Sequence, residues 1–165
     1  MVKSGTSLET MKLKGMTPED IIEHGIDWET MVGVYKTSAL LNFGFRWHHM
    51  ITMGFQPNHF KVLDWHQMSD VLKLSATDML KTSISIRQLA DLKIDIAHLH
   101  QMGFRLKEFK QIGGNCETMA LITKDLSEIK TYLNPQGNDW EELGFTKDGI
   151  KKNGYKFYHI LKMVK

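Results

Sequence analysis

The stretch IDIAHLHQMG-FRLKEFKQIG, Ile94 to Gly113, is two ten-residue units laid end to end. Each opens on an apolar residue (Ile94, Phe104), has an apolar sixth position (Leu99, Phe109) and an apolar ninth (Met102, Ile112), and closes on glycine (Gly103, Gly113). The spacing encodes a very short helix. The second position suits an N-cap, whose side-chain oxygen accepts from a free amide of the first turn. An apolar residue just before the cap and another at the fourth helical position form a hydrophobic staple. Glycine at position ten stops the helix in the left-handed conformation. Such a helix has roughly two turns. Alone it is unstable, because nucleation is costly and few bonds follow. It needs neighbours on which to bury its apolar positions.

The unit recurs along the whole chain, beginning near Thr6, Met16, Ile26, Tyr35, Phe45, Phe55, Trp65, Leu74, Ile84, Ile94, Phe104, Gly114, Lys124, Pro135, Phe145 and Tyr155. The sixth positions are Met11, Ile21, Met31, Leu40, Met50, Phe60, Asp70, Met79, Leu89, Leu99, Phe109, Met119, Ile129, Trp140, Ile150 and Ile160. Fifteen of these sixteen are apolar, against 42% for the chain, which argues against chance. Capping boxes are expected at Thr17/Asp20, Ser75/Asp78, Ser85/Gln88 and Asp125/Glu128. Pro18 stands at a first helical position, where its missing N–H costs nothing.

Repetition at a short fixed period marks an array or solenoid. The fold class is therefore all-α, a tandem array of short helices of about ten residues per unit. An ordinary bundle of longer helices is the rival, but a glycine or cap every ten residues would interrupt each helix, at about 1 kcal/mol per glycine. Short helices are expected over residues 17–24, 46–53, 85–92, 95–102, 105–112 and 146–153, with Leu99 and Phe109 buried. The pattern is poorest between Asp64 and Ser83, where Asp70 replaces the apolar sixth residue and no glycine occurs. A bend or a longer helix is expected there. NPQGND, residues 134–139, is the clearest loop. The organisation reads as a first degenerate unit over 1–15, an array over 16–133, and a loop with a basic pair of units over 134–165, in one domain.

A chain of 165 residues with 42% apolar and 24% charged content is ordinary for a globular protein. No run approaches a membrane span, and the N-terminal stretch lacks the apolar core of a signal peptide. The expectation is a protein that is not secreted. One cysteine, Cys116, excludes an internal disulfide. The eleven methionines mostly fill apolar slots of the unit. The net charge of +2 names no partner, but its distribution is uneven. Residues 145–165 hold Lys147, Lys151, Lys152, Lys156, Lys162 and Lys165 against Asp148, whereas residues 1–30 hold six carboxylates against three lysines.

Candidate chemistry is sparse. His48–His49 and His98-x-His100 lack the i, i+4 spacing of a helical zinc site, so no metal is expected. His49, His59 and His98 all fall at position five of their units, which reads as a feature of the repeat: an edge histidine reaching a cap or carbonyl. Cys116, in GGNCETM, has no family signature of a nucleophile around it. There is no phosphate loop, dinucleotide fingerprint or zinc ribbon. No catalytic residue, cofactor or small-molecule substrate is expected, and the chain reads as a non-enzyme.

MGFRLKEFKQIGG, TMGFQPNHFKVL and ELGFTKDGIKKNGY resemble the degenerate helical repeats of the form L-K-x-x-G-F-x-x-x-x-L-K-x-x-G found in proteins of giant and other large DNA viruses. The resemblance covers nearly the whole chain. It departs from the pattern in having few glycines mid-chain, and methionine where leucine or alanine is usual. It implies an all-helical repeat fold and, by association, a virion component or host-interaction scaffold, in the particle or the infected cell's cytoplasm. It carries no catalytic residues. The final unit, YKFYHILKMV, is apolar with a lysine rim, the make-up of a docking surface. Lys151, Lys152, Tyr155, Lys156, Phe157, Tyr158 and Lys162 are the expected partner-binding residues. The expected partner is another protein; nucleic acid, through stacking and phosphate contacts, is the alternative.

Overall fold

The computed structural model describes residues 5–156, and among them every regular element is helical. The chain divides between Leu74 and Ser75 into two compact units. The first carries α1 (Leu8–Leu13), α2 (Pro18–Glu23), α3 (Trp28–Val34), α4 (Thr37–Phe43), α5 (Trp47–Thr52), a 3-10 helix (Pro57–Val62) and a π-helical turn (Gln67–Val71). The second carries α6 (Ala76–Leu80), α7 (Ile86–Asp91), α8 (Ile96–Gln101), α9 (Leu106–Gln111), α10 (Cys116–Met119), α11 (Leu126–Leu133), α12 (Asp139–Glu142) and α13 (Lys147–Lys152). The six helices expected from the sequence are present, each bounded by its caps one residue inside the expected range.

Local chemistry accounts for these boundaries. Thr17, Ser75 and Ser85 form the expected capping boxes with Asp20, Asp78 and Gln88. Asp125 caps α11 through the Ser127 amide, but Glu128 does not return the bond; its carboxylate accepts from the Thr123 hydroxyl instead. Most helices end in the left-handed region at the last position of the unit. Gly103 (φ 98) and Gly113 (φ 90) do so without a Cβ penalty. Lys73 (φ 51), Ser83 (φ 60) and Lys93 (φ 55) occupy the same slot with side chains. The missing glycines of that region therefore change the cost of the turn and not its geometry.

Between Asp64 and Ser83 no longer helix forms. The π-helical turn rotates Met68 into the core in place of the sixth residue, and Asp70 stays exposed, accepting from Ser69 and bonded to His66. The NPQGND stretch runs from Asn134, in the left-handed conformation, into α12.

The core is built from the sixth positions. Met31, Leu40, Met50, Phe60, Met79, Leu89, Leu99 and Ile150 are fully buried, and Phe109 is 1% exposed. Position three is a second core position that the periodicity did not reveal. Leu8, Trp28, Ala76, Ile86, Ile96, Cys116 and Leu126 all stand there and are buried. As the first helical residue, each has an amide free of intrahelical bonding. Four of these amides donate to the carbonyl that ends a helix two units further on: Trp28 to Met53, Ala76 to Met102, Ile86 to Ile112, Cys116 to Leu143. The sides of the helices follow a different register. In the first unit α1 packs on α4 and α2 on α5; in the second α7 packs on α10, α8 on α11 and α10 on α13. Within each compact unit, then, a helix meets the third helix after it.

Candidate interaction surface and the polar seams

The expected partner-binding residues lie on and after α13. Thr146 caps that helix through the Gly149 amide, and Ile150 anchors it in the core. Gly149 is required, because a Cβ there would stand 2.4 Å from the Gly144 carbonyl oxygen. Anchoring by Ile150 leaves Lys147, Lys151 and Lys152 exposed, the last two in the final turn, where the helix dipole favours cations. Lys156 is also exposed, and its amide donates to the Lys124 carbonyl at 3.0 Å. No described carboxylate lies within ion-pairing distance of Lys124, Lys147, Lys151, Lys152 or Lys156. Some earlier cations of the second unit are matched: Arg87 faces Glu117 at 3.8 Å, and Lys110 faces Asp139 at 2.7 Å and Glu142 at 3.4 Å.

Tyr155 does not belong to this surface. It is 2% exposed, stacks edge-on against Phe145, and its hydroxyl donates to the Cys116 carbonyl at 2.7 Å. The first position of a unit is a staple position, and that role consumes the ring. Phe157, Tyr158 and Lys162 lie outside the described residues. Cys116 is buried between α10 and α13, with Asn153 Nδ2 3.7 Å from its sulfur. Burial pushes its thiol up, which keeps it protonated and a poor nucleophile.

Several polar side chains elsewhere come together along seams between helices three places apart. The Arg46 amide donates to His49 Nδ1 at 3.0 Å, and His49 Nε2 meets the Glu19 carboxylate of α2 at 2.8 Å. Ten residues on, the Gln56 amide donates to His59 Nδ1 at 2.9 Å, and His59 Nε2 meets Glu29 of α3. Both rings are buried. Each histidine stands where a capping box has its acid or amide, so it closes its own helix and bridges to an earlier one. His98, the third of the position-five set, contacts its own cap, Asp95, at 2.8 Å. His100 Nδ1 lies 2.8 Å from the Tyr132 carbonyl of α11.

Glu19, His48 and His49 bring three potential ligand atoms within 4.8 Å of one another. The His48 and His49 rings are neighbours, 3.8 Å between centroids, although their spacing is not that of a shared helix face. The hydrogen bonding decides what this group does. An Nδ1 that accepts an amide hydrogen carries its lone pair inward, so the proton of neutral His49 is on Nε2. That nitrogen donates to Glu19 and has no lone pair to offer a cation. The bond to His49 in turn holds the Glu19 carboxyl below its usual value.

Among the described residues no helix is long and apolar enough to cross a membrane. No protein-family model, no curated protein and no solved structure matches the chain.

Proposed function

We propose that the protein is a non-enzymatic helical-repeat scaffold, a minor capsid-associated structural protein of a large DNA virus that works through protein–protein contacts. One observation carries the scaffold reading. The converging polar groups are spent on caps and on seams between third-neighbour helices, whereas Lys147, Lys151 and Lys152 of α13 are exposed, with no described carboxylate paired to them. A molecule that uses its polar chemistry to hold its own repeats in register suits a load-carrying part better than a turnover site. The viral assignment rests on the resemblance of the G-F-x-x-x-x-L-K units. The contact surface comprises Lys151, Lys152 and Lys156, with Lys147 beside them, and its partner presents carboxylates.

The test is the charge-reversal pair Lys152→Glu with Lys156→Glu. Both residues are exposed, so thermal stability should fall only slightly, by the helix-end contribution of Lys152, while incorporation into the particle or assembly fails. Normal incorporation by this variant would overturn the reading. Tight, salt-dependent binding of DNA or RNA by the wild type, lost in the variant, would replace it with the nucleic-acid alternative.

A further inference from the structure

We infer that His49 and His59 form a proton-sensitive clasp within the first compact unit, closed when both imidazoles are neutral and released in mild acid. The inference concerns how the unit is held and stands apart from the proposed function. The reason is the direction of the two bonds on each ring. A second proton must go on Nδ1, which faces the amide N–H of Arg46 in one case and of Gln56 in the other, at 3.0 and 2.9 Å. Two donors would then oppose each other. The side chains are only 7% and 8% exposed, so water does not take over the lost bond.

The other groups around each ring do not offset this. His49 is faced by Glu19 from α2 and by His48 on its own helix, with the edge of Phe45 beneath. The Arg46 guanidinium is turned away, donating to the Leu41 and Phe45 carbonyls. His59 is faced by Glu29 and influenced by Asp27, both of the α3 segment, with Phe55 against its ring. Glu19 and Glu29 are already bonded to the neutral rings, and they are 64% and 73% exposed. Converting each bond to an ion pair therefore gains little in water. Losing a buried cap bond outweighs that gain. The chain contains its own control. Ser85 and Arg105 occupy the same cap slot, but their amides donate to the Gln88 amide oxygen and the Glu108 carboxylate, neither of them an imidazole.

The experiment follows amide exchange protection by NMR in the full chain, corrected for intrinsic rates, as pH falls from about 7.5 to about 5.5, the range of histidine titration. Protection at the Arg46 and Gln56 amides should fall about tenfold or more, the size expected of a lost local hydrogen bond, while Ser85 and Arg105 keep theirs. In His49→Gln with His59→Gln, where the amide oxygen can accept the cap bond at any pH, the loss should disappear. The single variant His59→Gln should protect Gln56 alone, which keeps the test open should the double variant not fold. Arg46 and Gln56 tracking Ser85 and Arg105 in the wild type would overturn the clasp. So would a loss that persists in the glutamine variants.

Discussion

The Tyr155 hydroxyl donates to the carbonyl of Cys116, 39 residues earlier, across a buried 2.7 Å bond. Burial pushes the phenol well above its ordinary value, so it remains a donor throughout the working pH range. Removing the oxygen in Tyr155→Phe leaves a buried carbonyl without this partner and should cost about 1–2 kcal/mol. Urea unfolding measures it. An unchanged midpoint would mean that the carbonyl is satisfied by other means.

Leu99 and Phe109 are the sixth residues of adjacent units, at 0% and 1% exposure. Truncating either to alanine should destabilise the second unit by about 2–5 kcal/mol. Loss of less than about 0.5 kcal/mol, the range of surface sites, would show that these positions do not carry the core.

Lys73, Ser83 and Lys93 hold left-handed backbone where other units use glycine. Their side chains are exposed, so little packing is lost by removing them. Replacing each with glycine should stabilise the chain by about 0.5–1 kcal/mol, the relief of the left-handed penalty less the extra entropy of the unfolded glycine. A lower thermal midpoint in all three variants would contradict the backbone account.

Strong acid should act through the carboxylates. The bond from the His98 amide holds the Asp95 carboxyl below its usual value. A carboxyl whose folded value is depressed contributes stability above its unfolded value, about 4, and that contribution is lost as pH falls through the lower folded value. Asp95→Asn should therefore flatten the acid limb of the stability curve below about pH 4. The same limb in variant and wild type would show that the charge on this cap does not contribute.

Much of this was legible in the sequence because the unit is short and its signals are strong. A sixth-position apolar residue, a cap three residues ahead of an acid, and a closing glycine each have one local meaning. Position three escaped notice because it holds chemically mixed residues, among them Trp28, Ala76, Cys116 and Leu126. Trp28, Ala76 and Cys116 also send the first helical amide to a distant carbonyl, and no periodicity of hydrophobic residues encodes that. Met68 replaced Asp70 in the core through a π-helical turn, a change of pitch that a fixed ten-residue frame cannot represent. Tyr155 read as part of a contact surface because its neighbours in sequence are lysines, yet its staple position determined where the ring went.

The third-neighbour register also sets a counting rule for the length of such a chain. Glu19 and His49 are thirty residues apart, as are Glu29 and His59, and Arg87 and Glu117. Loss of a single ten-residue unit between α7 and α10 would carry Ser127 opposite Arg87, and a similar loss between α9 and α12 would carry Gly149 opposite Lys110. Neither newcomer has a charge to offer. Loss of three consecutive units after α7 would carry Lys147, a like charge, opposite Arg87. A gene encoding this fold can therefore change its number of units only where new complementary residues arise along every seam that the change shifts.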